Sequence, residues 1–444
     1  MVRSRMRLSN LQIVALGYFL VILTGTLLLM LPIATQEGQP PTSVLDALFT
    51  AVSASCVTGL VVVDTGTHWT VFGQLVILGL IQIGGLGFMT ISLGFLLLMR
   101  KRIGLRHREV MVESINSMQL GGIVRLTRKI LYGTLLLEGL GALFLAIRFV
   151  PQFGWKQGAY FSVFHSISAF CNAGFDLFGN YNSIVAYADD ALVNFTLMGL
   201  ITMGGLGFLV WEDLWQKKWS FHHLRLQTKI VLSTSFALTV GGGFLLLLLE
   251  RNNLNVDMSN SERLLTAFFQ SCTARTAGFN SVDPGAMTSG SKMLMMLLMF
   301  IGGSPGSTAG GIKTTTLMVI LMYTLAGVRH ARSANIFGRR LEEDALHKAI
   351  YVFFVNLIFV ILGTIAICSV QNLELTDVLF EAFSAMGTVG ISTGITRELE
   401  VFSRLIIIFL MYCGRVGSIS FAVALMERKA APPVTMPLEK ITIG

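Results

Sequence analysis

Four short stretches carry groups suited to replacing the water around a cation. They are Cys56-Val57-Thr58-Gly59-Leu60, Cys171-Asn172-Ala173-Gly174-Phe175, Arg275-Thr276-Ala277-Gly278-Phe279 and Gly387-Thr388-Val389-Gly390-Ile391. A desolvated monovalent cation needs several oxygen ligands, and rings of backbone carbonyls supply them. Glycine admits backbone angles barred to other residues and lets an ion approach closely. Thr58, Thr276 and Thr388 add hydroxyls, and Asn172 adds an amide. A single Thr-x-Gly would mean only that a small residue lets membrane helices pack. Four copies at matched offsets point to an ion filter instead. The glycines lie 115, 104 and 112 residues apart, and Phe49, Phe164, Phe268 and Phe380 each stand 10 residues before one of them. Small residues stand 5 before: Ala54, Ala169, Thr273 and Ala385.

A second glycine cluster follows each copy after 24 to 30 residues: Gly84-Gly85-Leu86-Gly87, Gly204-Gly205-Leu206-Gly207, Gly302-Gly303-Ser304-Pro305-Gly306 and Gly414-Arg415-Val416-Gly417. Two landmarks in fixed order, four times over, make a degenerate fourfold repeat.

The medium follows from composition. Of 444 residues, 53% are hydrophobic and 13% charged, with a mean hydropathy of +0.69, which places the chain in a lipid bilayer. Runs such as Leu11 to Ile33 and Val71 to Met99 exceed the roughly 20 apolar residues of a membrane-crossing helix. The first follows Arg3, Arg5 and Arg7 but is too long for a signal peptide and lacks a small-x-small site before Pro32, so it reads as a retained span. No lysine or arginine lies between Ala34 and Thr70, whereas Arg100 to Lys129, Lys217 to Lys229 and Arg329 to Lys348 are basic. The positive-inside rule puts these segments and both termini in the cytoplasm of a plasma-membrane protein. The net charge of +8 is thus a matter of topology and not of nucleic-acid binding. Five cysteines without a Cys-x-x-Cys supply no metal or disulfide framework.

The elements that must position the glycines follow from hydropathy. The expected fold is an all-α integral membrane protein of four tandem helix–pore-helix–helix repeats. Eight transmembrane helices and four re-entrant pore helices would stand in pseudo-fourfold arrangement around a central pore. Outward helices are expected at Leu11 to Ile33, Ile123 to Val150, Ile230 to Leu249 and Ala349 to Cys368. Short helices are expected at Val44 to Ser55, Ala159 to Phe170, Ser261 to Ala274 and Thr376 to Met386, and return helices at Val71 to Met99, Ala186 to Trp211, Met293 to Tyr323 and Arg404 to Met426. Repeat boundaries fall at 1–103, 104–219, 220–330 and 331–426, with a tail at 427–444. A dozen residues cannot cross and must turn back. Irregular backbone at membrane depth is tolerated only inside protein or along a watery cavity, so the glycine strands share one central space.

Beneath them, Gly302, Gly303, Ser304, Pro305, Gly306, Ser307, Thr308, Ala309, Gly310 and Gly311 interrupt an apolar span in which no continuous helix survives. Unit three alone is expected to have a broken return helix, with the break forming a gate. Arg415 takes the register of Gly85, Gly205 and Gly303. A buried membrane arginine is costly and functional as a rule; here it would repel a passing ion and donate to loop carbonyls, or else pair structurally with a carboxylate. Lys313 is expected to snorkel toward the cytoplasm, Arg275 to brace its strand, and Glu138 to be a buried hydrogen-bonded structural residue. Asp64, Asp176 and Asp283 either line a negative mouth or are solvated loop carboxylates. The Gly306, Gly311, Lys313, Thr314 run imitates a phosphate loop, but Ile312 intervenes and no buried strand precedes it. No His/Glu metal pair or activated nucleophile lies in the spans, which argues against an enzyme. A secondary carrier for a larger solute is the rival, although such carriers usually show inverted repeats.

The four short-helix-plus-glycine units, the run Gly302 to Thr314 and Gly-Arg-Val-Gly from Gly414 resemble the Trk/Ktr/HKT potassium-transporter superfamily, over essentially the whole chain and most closely its bacterial Ktr membrane subunits. The resemblance implies potassium as transported ion, sodium as a promoter of uptake, and a homodimer with one pore per protomer. It also implies a cytosolic regulatory ring of RCK-domain subunits of the KtrA type, which carry ATP or ADP themselves. It gives the unit-three loop and Arg415 gating roles. Glycine at all four filter positions matches potassium-preferring members. Segments Gly104 to Arg128 and Ala326 to Lys348 would be surfaces for the ring, and the tail from Glu427 would dock at the dimer interface.

Overall fold

Four long apolar helices, Asn10–Leu29, Ile123–Phe153, Leu226–Leu249 and Glu343–Val370, open four successive units of a computed structural model. It describes residues 10–87, 90–91, 122–218, 220–254, 258–331 and 333–417. The amino-terminal arginines, residues 104–121 and the tail from Glu427 lie outside the described residues. Each long helix presents apolar side chains outward, among them Leu135, Phe144, Phe236, Leu248 and Ile365. In a bilayer such a face is lipid-covered and costs nothing.

Each long helix is followed by a short one: Val44–Ser55, Trp155–Phe170, Asn260–Thr273 and Leu375–Gly387. The first is started by Ser43, which accepts from the Asp46 amide, and the third by a capping box of Ser259 and Glu262, where a side chain satisfies amides the helix leaves open. Their apolar faces are buried, with Phe49, Phe164, Phe269 and Phe380 fully enclosed. Three of the four phenylalanines in the repeat pattern are thus core anchors.

The return helices depart from expectation. Val71–Leu86, Ala191–Leu206 and Val401–Val416 stop at Gly87, Gly207 and Gly417, whose φ values are 82°, 95° and 93° and whose ψ values are 134°, 140° and 124°. That combination is open to glycine and strained for any other residue. In unit two the helix resumes as Phe208–Gln216 after a bend of 92°. Unit three is therefore not alone in being broken. Its distinction is the length of the interruption, residues 301–313, between Ser289–Phe300 and Thr314–Val328. Eight continuous spans are not present among the described residues: four helices are long and apolar enough to cross, or five with the bent pair. A return helix of 16 residues covers only about 24 Å, less than the roughly 30 Å hydrocarbon core.

The units close on themselves. A methyl group on Gly174 would lie 2.7 Å from the Ala277 carbonyl oxygen and one on Gly278 would lie 2.5 Å from that of Val389. Likewise Gly59 abuts the carbonyl of Ala173, and Gly390 that of Thr58. Units one, two, three and four thus touch in that order, and four touches one. Ion pairs reinforce two joints: Arg404 with Asp46 at 2.6 Å between units four and one, and Lys292 with Asp377 at 3.2 Å between units three and four.

Candidate functional site

The strand after each short helix has one backbone form. Val57, Asn172, Thr276 and Thr388 have φ of 57°, 59°, 80° and 51°, and two residues later Gly59, Gly174, Gly278 and Gly390 have φ of 92°, 68°, 86° and 93°. The residue between, Thr58, Ala173, Ala277 or Val389, is not left-handed. Alternating hand turns successive carbonyls toward one side, unlike a strand, where they point to opposite sides. The carbonyls of these four middle residues are the ones that lie against the neighbouring unit's glycine. A ring of main-chain oxygens results, and glycine is required because a side chain would occupy the joint.

Each strand is tied to its own short helix. The amides of Thr58, Ala173 and Val389 donate to the carbonyls of Ser53, Ser168 and Ser384 at 2.8, 2.8 and 2.9 Å, and that of Ala277 donates to Thr273 at 2.9 Å. Side chains add a second tie. Ser53 and Ser384 accept from the amides of Gly59 and Gly390 at 3.0 and 3.1 Å. Ser168 and Thr273 donate to the carbonyls of Phe175 and Phe279, both at 2.7 Å. Of these four residues only Thr273 stands in the column of small residues five before each glycine; Ser53, Ser168 and Ser384 stand one position earlier, outside it. The short helices aim their carboxyl ends, the negative ends of their dipoles, at the ring.

The polar side chains near the glycines are divided in their contacts. The Asn172 amide sits between the Thr276 hydroxyl and the carbonyls of Ala169 and Ile201. The orientation that satisfies all three puts its nitrogen 3.0 and 3.2 Å from those carbonyls. It braces units two and three. The Thr58 and Thr388 hydroxyls are buried without a hydrogen-bond partner in the protein.

Below the ring, the unit-three loop is held by unit two. The amides of Ser304 and Thr308 donate to the carbonyls of Gly205 and Gly204 at 3.0 and 3.2 Å, and the Phe208 amide donates to Gly306 at 2.8 Å. The Thr308 hydroxyl donates to the Phe170 carbonyl at 3.1 Å. A methyl group on Gly207 would lie 2.6 Å from the Pro305 oxygen, so the unit-two glycines make room for this loop. At its neck, Ile312 donates to Phe300 and Thr314 to Gly303. Lys313 does not snorkel away: its ammonium turns back to the carbonyls of Ala309 at 2.7 Å and Gly310 at 3.4 Å, because the loop offers unpaired acceptors that lipid does not.

Arg415 meets the loop from the other side. Its guanidinium donates to the carbonyl of Thr308 in unit three and to those of Gly84 and Gly85 in unit one, the last at 3.1 Å. No carboxylate pairs with it among the described residues. Arg275 is held by Ser235 and Thr239 of its own unit at 3.1 to 3.3 Å, as a brace. Glu138 is buried and accepts from Gln82 at 2.9 Å, which joins units two and one structurally.

Above the ring is a cavity of about 100 Å³ lined by Gly59, Gly174, Gly278 and Gly390 together with Asp176 and Arg397, among others. Of the three acidic residues considered for the mouth, only Asp176 lines it. Asp64 is consumed by the amides of Gly66, Thr67 and Tyr181, and Asp283 caps Gly285. Burial, and then the charge of Asp64, push the Asp176 carboxyl up to about 7 against the pull of the Phe178 amide.

The comparisons agree with this architecture. The family model described as "TrkH: Cation transport protein" matches residues 8–431. The chain is 40% identical to the potassium/sodium uptake protein NtpJ of Enterococcus hirae, over 100% of this chain and 99% of that one. It is 42% identical to the Ktr system potassium uptake protein B of Bacillus subtilis, over 92% and 91%. Its fold matches the crystal structure of the potassium transporter TrkH from Vibrio parahaemolyticus with a TM-score of 0.77 at 16% identity, covering 96% of this chain and 86% of that one.

Proposed function

The chain belongs to the TrkH family of cation transport proteins, and on that footing we propose that it is the pore-forming subunit of a potassium-uptake system. Potassium passes through the ring formed by Val57-Thr58-Gly59, Asn172-Ala173-Gly174, Thr276-Ala277-Gly278 and Thr388-Val389-Gly390. The observation that carries this reading is the closed circuit of glycine-to-carbonyl contacts, which brings main-chain oxygens from all four units together, the ligand set a desolvated monovalent cation needs. The Thr388 side chain packs against Gly310 of the loop below, so the ligands offered to the ion are the main-chain carbonyls. The loop from Gly302 to Gly311 with Lys313, together with Arg415, is the gate: a guanidinium below the ring opposes a cation electrostatically, and its bonds to units one and three hold the loop in place.

Sodium promotes uptake, and the protein works as a homodimer in the plasma membrane with both termini in the cytoplasm. A cytosolic ring of RCK-domain subunits, carrying the ATP or ADP, regulates it. The hairpin of Asn335–Ile336 and Arg339–Arg340 is part of the surface offered to that ring. It packs on the helix that directly follows the gate loop through Ile336, Met318 and Tyr323, a short mechanical route from partner to gate.

The test is potassium uptake into cells that lack their own uptake systems: the protein should restore growth at low potassium, and failure to accumulate potassium with the partner ring co-expressed would reject the reading. Asp176 adds a pH signature. Below about pH 7 its carboxyl is neutral and above that it is charged, so the potassium concentration for half-maximal uptake should rise about two- to threefold as external pH falls from about 8 to 6. Asp176→Asn should be flat over that range; a wild-type-like pH response in this variant assigns the effect elsewhere.

A further inference from the structure

The rim of the outer cavity carries a cation. Arg397, in unit four, is exposed and lines the cavity together with Tyr181 of unit two. Its guanidinium lies over the Tyr181 ring, 4.4 Å from the centroid, the geometry of a cation–π contact. Its Nε donates to its own loop, to the Gly394 carbonyl at 3.5 Å. No carboxylate lies within ion-pairing distance of it among the described residues. Units two and four are not neighbours in the ring, so this contact reaches over the unit-one edge of the mouth.

Tyr181 is held firmly for this. Asn180, Tyr181 and Ser183 have φ of 55°, 56° and 46°, a run of left-handed non-glycine residues that persists only where the surroundings over-determine it. The surroundings do so: the Tyr181 amide donates to Asp64 of unit one at 2.7 Å, its hydroxyl donates to the Val62 carbonyl at 3.3 Å, and Ser183 accepts from the Asn280 amide of unit three at 3.0 Å. A loop this tightly anchored makes the ring a fixed platform, and the positive charge resting on it is fixed as well.

A positive charge at the entrance of a cation path lowers entry rates for the ion carried, so it needs a compensating use. Its energy with a divalent ion is twice that with a monovalent one at the same place. Asp176, at the cavity wall nearer the glycines, attracts both, and more strongly the divalent. We infer that Arg397, seated on Tyr181, is a valence filter: it keeps hydrated divalent cations out of a mouth that Asp176 would otherwise make attractive to them. The inference rests on the ring being the ion path.

Potassium uptake at low external potassium, titrated with external magnesium, tests it. If Arg397→Gln improves the half-saturating potassium concentration by about twofold, the half-inhibitory magnesium concentration should fall by about the square of that, fourfold. Arg397→Lys, which keeps the charge, should stay near wild type. Tyr181→Leu, which removes the platform, should shift magnesium inhibition in the same direction as Arg397→Gln, whereas Tyr181→Phe should not. Wild-type magnesium sensitivity in Arg397→Gln or, should that variant fail to reach the membrane, in Tyr181→Leu, overturns the inference while potassium uptake continues. Absence of potassium uptake by the wild-type protein would instead overturn the ion path itself.

Discussion

Replacing any of the four ring glycines by serine should degrade potassium-over-sodium selectivity, and the loss should be graded by position. Gly390→Ser is expected to be worst: its new Cβ would strike the Thr58 carbonyl and lie 2.9 Å from the Gly59 Cα, at a φ of 93°. Backbone on a neighbouring unit cannot swing aside as the end of a side chain can, so the carbonyl that should face the ion is displaced. Gly174→Ser is expected to be mildest, since its φ of 68° falls in the left-handed well that other residues occasionally occupy and its clash with Ala277 is at 2.7 Å. Selectivity ratios from paired potassium and sodium uptake should fall by roughly tenfold or more at Gly390, corresponding to about 1.4 kcal/mol of lost discrimination. Unchanged ratios in all four variants would sink the filter.

Loss of the gate should do the opposite to flux. Arg415→Ala removes three hydrogen bonds from a charged donor, each worth about 1.5–3 kcal/mol where fully buried. Even one such bond favouring the closed arrangement shifts its population by roughly tenfold. Arg415→Ala, and deletion of Gly306 to Gly311, should therefore raise potassium flux by about an order of magnitude, with selectivity kept in Arg415→Ala because the hydrogen bonds that hold the ring strands run to the short helices; the deletion also removes Gly310, which packs on Thr388 of the ring. Lower flux from well-folded protein would count against gating and favour a structural role. The two predictions separate the layers: glycine changes alter which ion passes, gate changes alter how many.

Much of this was legible in the residues. The helix Val44–Ser55 has the expected bounds, and the outward helices differ from expectation by a few residues at their ends, because apolar runs of bilayer length have few other solutions. The glycine repeat announced the ring, since a packing requirement alone gives no reason for a glycine 10 residues after a phenylalanine four times over. What hydropathy could not reveal was the corners. It registers that the residues beyond Gly207 are apolar but not that the backbone at that glycine turns the chain by 92°, so one continuous span is expected where two helices meet at a corner. Lys313 shows a second limit: a long cation beside lipid either reaches outward or folds back, and the choice depends on acceptors at Ala309 and Gly310 that exist only once the loop is built. Likewise Asp64 could be read as a mouth residue or as a solvated loop carboxylate, and it is neither, because the loop of Tyr181 claims its second oxygen. The tethering hydroxyls escaped notice because Ser53, Ser168 and Ser384 stand six residues before the glycine and Thr273 five, which blurs the column.

The central claim is that one ring selects and a separate layer below it gates. The most direct measurement is ion flux from purified protein in lipid vesicles, with potassium and sodium gradients compared for the wild type, Gly390→Ser and Arg415→Ala. The account predicts a slow, potassium-preferring flux in the wild type, a flux that no longer favours potassium in Gly390→Ser, and a faster, still potassium-preferring flux in Arg415→Ala. A wild-type flux that does not distinguish the two ions, or a potassium preference untouched by Gly390→Ser, would contradict it.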